Sequence, residues 1–123
     1  MAKVDVEAVV VAWLNSVLPS GWAAHGDKPT DNPEKYVLVS RTGGPRESIV
    51  LDKAEILIEV YHKTSQSAAK NVMLDIADRA IELTAYSADI TRAKVTSTIN
   101  LDDLLAQYER YQIYCDVWGA RNG

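Results

Sequence analysis

The chain reads as a small α+β domain with its elements in the order α-β-β-β-α-β-β. Residues 5–18 and 67–83 carry apolar side chains at helical spacing, while residues 36–41, 49–62, 94–100 and 109–118 carry strand-like alternation or β-branched runs. Between the first two of these strands stands Gly43-Gly44-Pro45, a sequence that breaks helices and permits positive φ, so the chain turns there. At 123 residues it is long enough for one core and one domain, residues 1–123.

In the first helix, Asp5 is a natural N-cap, and Val6, Val9, Val10, Trp13, Leu14 and Val17 share one face. Valine is a weak helix former, so packing of that face must hold the helix. Leu18-Pro19-Ser20-Gly21 stops it. Residues 22–25 make a short edge strand, and residues 27–33, with two prolines, are a loop. The strand 36–41 alternates Val37 and Val39 against Leu38 and Ser40. Residues 49–62 are long for one strand, which predicts a bend or bulge at Asp52-Lys53 and a core of Ile56, Ile58 and Val60.

Ser65 is the predicted N-cap of the second helix. Its stripe is Ala69, Val72, Met73, Ile76, Ala77, Ala80 and Leu83, and the small alanines let it lie close to a sheet. Lys70, Asp75, Asp78, Arg79 and Glu82 form the solvated face, with Asp75 and Arg79 as an i,i+4 pair. In the next strand Val95, Ser97 and Ile99 are expected on one face and Lys94, Thr96 and Thr98 on the other. Asp102 caps a brief helical turn. The last strand sets Tyr111, Ile113, Cys115 and Val117 against Arg110, Gln112, Tyr114, Asp116 and Trp118. That second face is polar and aromatic, which suits burial against another subunit.

No pattern in the chain builds a catalytic, cofactor or metal site. The two histidines, His25 and His62, have no metal-ligand spacing between them, and Cys115 is the only cysteine, expected as a buried, inert thiol. Asp27, Asp31 and Asn32 lack the glycine and glutamate of a calcium loop. Gly43-Gly44 precedes a strand and has no Lys-Ser/Thr after it, which excludes a phosphate loop. Asp102-Asp103 is explained by helix capping. The longest apolar run, residues 8–14, is too short to span a membrane, and Asp5 and Glu7 interrupt any secretory signal. The net charge of -4 and the scattered Lys and Arg argue against a phosphate-binding surface for nucleic acid.

The order and spacing of these pieces resemble the tail terminator proteins of long-tailed bacteriophages, a group that overlaps the minor tail and head-tail joining proteins. The resemblance rests on the opening helix with Trp13-Leu14 and the strand Val37-Leu38-Val39-Ser40-Arg41 running into Gly43-Gly44. It continues through Asp52 before a long strand, the alanine-rich helix, and Arg110-Tyr111-Gln112-Ile113-Tyr114-Cys115-Asp116-Val117 ahead of Arg121. This chain departs from the pattern at Leu101-Asp102-Asp103-Leu104-Leu105, where relatives often carry proline and tryptophan. The resemblance implies a mixed, mostly antiparallel sheet flanked by two main helices, and a non-enzymatic virion protein needing no cofactor. It implies a homo-oligomeric ring, usually a hexamer, that caps the tail tube, stops its polymerisation and forms the head-tail joining surface. The expected partners are the chain itself, the tail tube protein and the connector or neck protein, with DNA only passing through the lumen and no membrane. The expected location is the head-proximal end of the virion tail, after assembly in the bacterial cytoplasm. Six copies would carry a charge of about -24, a repulsive lining if acidic residues face the lumen.

The residues expected at subunit or tube contacts are Arg41, Gly43, Gly44, Arg46, Glu47 and Asp52 around the loop, and Tyr114 and Trp118 on the last strand. A plain solvent-exposed hairpin tip is the competing reading of that loop. Competing functions are a head-tail connector or stopper of the neck, a small cellular α+β binding module or enzyme subunit that dimerises through its sheet edge, and a nucleic-acid-binding domain.

Overall fold

Helix α1 (Val6–Val17) buries Val6, Val10, Trp13 and Leu14, the i, i+4, i+7, i+8 stripe that its sequence prescribes. The computed structural model describes residues 6–27, 29–31, 33–43, 51–88, 90–100 and 109–120, so the Asp5 cap and the turn at Asp102 lie outside the described residues. The helix ends through a bond from the Leu18 N–H to the Leu14 carbonyl. A tight turn then brings the Trp22 N–H to the Pro19 carbonyl at 3.1 Å. Gly21 sits in that turn at φ +88°, a conformation that side chains disfavour.

The turn delivers β1 (Ala24–His25) to the edge of the sheet, where it pairs in parallel with β2 (Lys35–Gly43). Its outer side is held by Asn15. The Asn15 Oδ1 accepts the Ala24 N–H at 2.8 Å and the Asn15 Nδ2 donates to the Ala24 carbonyl at 3.2 Å. One amide side chain thereby stands in for a neighbouring strand. Asn15→Ala is expected to cost about 1–2 kcal/mol, because Ala24 is buried and both its backbone groups lose a partner. Urea unfolding measures this, and a loss below about 0.5 kcal/mol would show that the clamp is not formed in solution.

The remaining strands are antiparallel: β2 on β3 (Leu51–His62), β3 on β5 (Glu109–Ala120), and β5 on β4 (Ile90–Asn100). The order across the sheet is β1-β2-β3-β5-β4, so the mixed α+β fold and its element order follow the sequence pattern. Two details differ. No bulge stands at Asp52-Lys53: β3 pairs with β5 from Leu51↔Ala120 to His62↔Glu109 without a register shift. The irregularities fall in β2, between Arg41 and Gly43, and in β4, between Ile90 and Arg92 and between Val95 and Ser97. The last of these reverses the alternation of β4. Val95 stays opposite Cys115 over the core, whereas Ser97 and Ile99 lie opposite Tyr114 and Gln112 on the other face.

Helix α2 (Gln66–Arg79) begins where predicted, with the Ser65 Oγ accepting the Ala68 N–H at 3.1 Å. His62 ties the preceding strand to it: its Nδ1 accepts the N–H groups of Thr64 (3.1 Å) and Ser65 (2.9 Å). The helix tightens into a 3₁₀ turn (Ala80–Glu82) and ends in a short α3 (Leu83–Tyr86). The expected stripe is buried at Ala69, Val72, Met73, Ile76, Ala80 and Leu83, with Ala77 half-buried. Asp75 and Arg79 pair at 3.7 Å as predicted, and Arg79 also reaches Glu82 at 3.1 Å. These carboxylates hold the Arg79 guanidinium above its ordinary value, Glu82 foremost.

Both main helices pack on one face of the sheet. Their stripes meet Val37 and Val39 of β2, Ala54, Ile56, Ile58 and Val60 of β3, and Tyr111, Ile113, Cys115 and Val117 of β5 in a single core. No described helix packs on the opposite face.

Candidate functional site

The second sheet face is where the structure gathers its polar and aromatic chemistry. Parity along each strand and register between strands put Tyr36 and Leu38, Lys53 to Tyr61 in steps of two, and Arg110 to Trp118 in steps of two on this side. At the end near β1, Tyr36 and Tyr61 stack with ring centroids 4.6 Å apart and planes 11° from parallel, and His25 meets Tyr36 edge-on. Next to them the Glu59 carboxylate is buried, and its Oε2 gathers three donors. The Tyr61 hydroxyl donates at 3.0 Å, Gln112 Nε2 donates at 3.2 Å, and Arg110 Nη1 lies at 3.5 Å. A buried carboxylate is tolerated because these groups replace its water.

Burial foremost, with the Glu59 charge and hydrogen bond, pushes the Tyr61 hydroxyl up to about 12 against the lowering effect of Arg110. An elevated folded-state value keeps the proton on Tyr61 where the unfolded chain would lose it. Its contribution to stability is therefore complete below about pH 10 and is lost as pH rises towards 12. Tyr61→Phe is expected to flatten the fall in stability across that interval, measured by urea midpoints at successive pH values; an unchanged slope would exclude Tyr61 as its source. Burial likewise pushes the Cys115 thiol up to about 11, which makes it a neutral core group at physiological pH, as its alternation predicted.

The other end of the face centres on Trp118, which is half-buried. The Lys53 Nζ lies 5.5 Å and the Arg92 Cζ 4.8 Å from its ring centroid, distances at which a cation is attracted to the π face. Lys53 also pairs with Asp116 at 3.5 Å. Between the two ends is a shallow hollow of about 510 Å³, lined among others by Thr42, Glu55, Thr96, Ile99, Tyr114 and Asp116. Beyond it, β4 forms the edge of the sheet. Thr91 and Thr96 fold back on it, their hydroxyls donating to the Trp118 and Tyr114 carbonyls at 3.2 and 3.1 Å.

Of the residues singled out from the sequence, Tyr114 and Trp118 lie together on this face, half-buried. Arg41 is exposed near the end of β2, opposite Ile56, and Gly43 closes that strand opposite Glu55. Asp52 pairs with Gly119 near the start of β3. Gly44, Arg46 and Glu47 lie outside the described residues. The sequence reading missed Lys53 and Arg92 beside Trp118, the Tyr36–Tyr61 stack, and the Glu59 network. Strand parity held part of that signal, since Lys53, Glu59 and Tyr61 share a phase; the rest needed the register between strands.

Among the described residues, no three His, Cys, Asp or Glu side chains converge to hold a metal ion, and no helix is long and apolar enough to cross a membrane. The arrangement on this face is one of stacked aromatic rings, cations over an indole and a hydrogen-bonded carboxylate.

No protein-family model matches the chain, and no curated protein matches it in sequence. Among solved structures, its fold is similar to that of a chain in the virion of the native gene transfer agent (GTA) particle. The TM-score is 0.57 at 12% sequence identity, over 99% of this chain and 87% of the other. At that identity the likeness is one of fold, and it extends over nearly the whole of both chains.

Proposed function

We propose that this chain is a structural protein of a phage-like virion, and that it caps the head-proximal end of the tail tube as a homo-oligomeric ring, by expectation a hexamer. The observation that carries the reading is the fold likeness to a GTA virion chain over 99% of this chain and 87% of the other, which agrees with the mixed sheet flanked by helices that the tail-terminator resemblance implies. The sheet face with Trp118 and Tyr114 supports it, because aromatic, half-buried residues on a side where no described helix packs are suited to a protein partner. The mechanism is steric. A ring seated on the last tube layer covers the surface to which another layer would add, and its far side receives the neck. Arg41, Gly43, Gly44, Arg46, Glu47 and Asp52 are proposed contacts to a neighbouring copy or to the tube. DNA passes through the lumen without being bound.

The test is to add the protein to polymerising tube protein from the same genome and measure tube length by electron microscopy and complex mass by light scattering. Tubes that stop growing and carry a ring-sized cap are the expected result. Binding to the portal-side protein with unaltered tube growth would move the chain to a connector or stopper position in the neck. A chain that ignores both would overturn the virion reading.

A further inference from the structure

The proposed ring leaves open which surface of a neighbouring copy covers the Trp118 face. We infer that it is the outer ridge of α2 and the 3₁₀ turn that follows it, so that each copy lays its helix layer on the sheet face of the next where no described helix packs; this rests on the ring reading. The ridge is Lys70, Leu74, Asp78 and Ile81, which recur at intervals of four, four and three residues and so form one stripe. Two of its four residues are large and apolar yet open to solvent: Leu74 is 45% and Ile81 71% exposed. The ridge projects from the helix side of the domain and the Trp118 face from the other, and two different, oppositely directed patches are what a head-to-tail contact uses.

The charges match in sign and spacing. Glu55, Asp116 and Lys94 lie in one line across β3, β5 and β4, with Arg92 two residues further along β4. Two strand spacings separate Glu55 from Lys94 by about 10 Å. On α2, Lys70 and Asp78 are eight residues apart, or about 12 Å along the axis. Laid across the strands with Lys70 on Glu55 and Asp78 on Lys94 and Arg92, the ridge sets Leu74 midway, over Asp116 and beside Tyr114, and brings Ile81 to the β4 edge. None of Lys70, Asp78, Glu55 and Lys94 is in an ion pair among the described residues, so these charges are available to a partner. Ile99 is itself 39% exposed on the receiving face.

Charge reversal tests the pairing. K70E and E55K, each at an exposed position, should leave the thermal midpoint of the protomer unchanged but weaken assembly at least about tenfold, measured by light scattering with the tube protein present. The double variant should recover assembly to within about threefold of the wild type, since the pair is restored with its signs exchanged. A Lys70→Cys, Glu55→Cys variant, whose two positions lie on opposite sides of one protomer, should on oxidation form a ladder of linked copies. Wild-type rings combined with additive effects of K70E and E55K, or with a cross-link to the tube protein in place of a ladder, would overturn this pairing and leave the ring reading intact. A wild-type chain that stays monomeric with the tube protein present would overturn both.

Discussion

Trp13→Ala is expected to cost about 3–5 kcal/mol of stability, the largest loss from any single truncation in the chain. Trp13 is 1% exposed and lies in the core that joins α1 to the sheet, with α3 close by: Val17, Ala85 and Tyr86 line a hollow with it on the surface side. The substitution removes the transfer free energy of an indole and leaves a cavity, because α1 is held from both sides. Its Asn15 clamp fixes it to β1, and Val6, Val10 and Leu14 fix it to the core. Neither anchor lets the helix collapse inward. Domains of this size have about 5–15 kcal/mol in total, so the variant should unfold roughly 10–25 °C lower by calorimetry. Ile81→Ala, at an exposed position, should stay within about 0.5 kcal/mol of the wild type and serves as the control. A loss below about 1 kcal/mol for Trp13→Ala would mean that α1 does not seat its stripe on the sheet.

That stripe was legible from residue order alone, and so were the α2 stripe and its Ser65 cap, because helical periodicity and capping are local. β5 was legible for a related reason: its two faces differ in kind, apolar at Tyr111, Ile113, Cys115 and Val117 and polar or aromatic between them. β4 was misread past Val95 because a bulge between Val95 and Ser97 shifts the phase by one residue, and no glycine or proline marks it. The charged pair Asp52-Lys53 suggested a bend. In the fold Lys53 is accommodated in a regular strand, on the face where Asp116 and Trp118 receive it. The Glu59 network could not be found locally at all, since Gln112 meets it across 53 residues of chain. Tyr114 and Trp118 were found by alternation, but the cations beside Trp118 come from two other strands.

Trp118→Ala should show the reverse of the Trp13 result: a small loss in the protomer and a large one in assembly. Within one chain the Trp118 ring is half-buried, and its described charged contacts are Lys53 and Arg92, each worth about 0.5–1 kcal/mol at a partly exposed site. Its removal should therefore lower protomer stability by about 1–2 kcal/mol. On the proposed reading, a neighbouring copy completes the burial of that ring. Central aromatic residues in such contacts typically contribute 2 kcal/mol or more, about thirtyfold in the association constant per contact. A closed ring repeats the contact in every subunit, so the loss compounds, and Trp118→Ala should fail to form rings at concentrations where the wild type does. Sedimentation for assembly and thermal melts for stability separate the two effects. Trp118→Phe should recover part of the assembly, because it keeps an apolar ring between the same two cations. If Trp118→Ala instead melts as early as Trp13→Ala while assembly persists, Trp118 belongs to the protomer's own packing. The sheet face would then be a second small core, and the interface would have to be sought along the β4 edge.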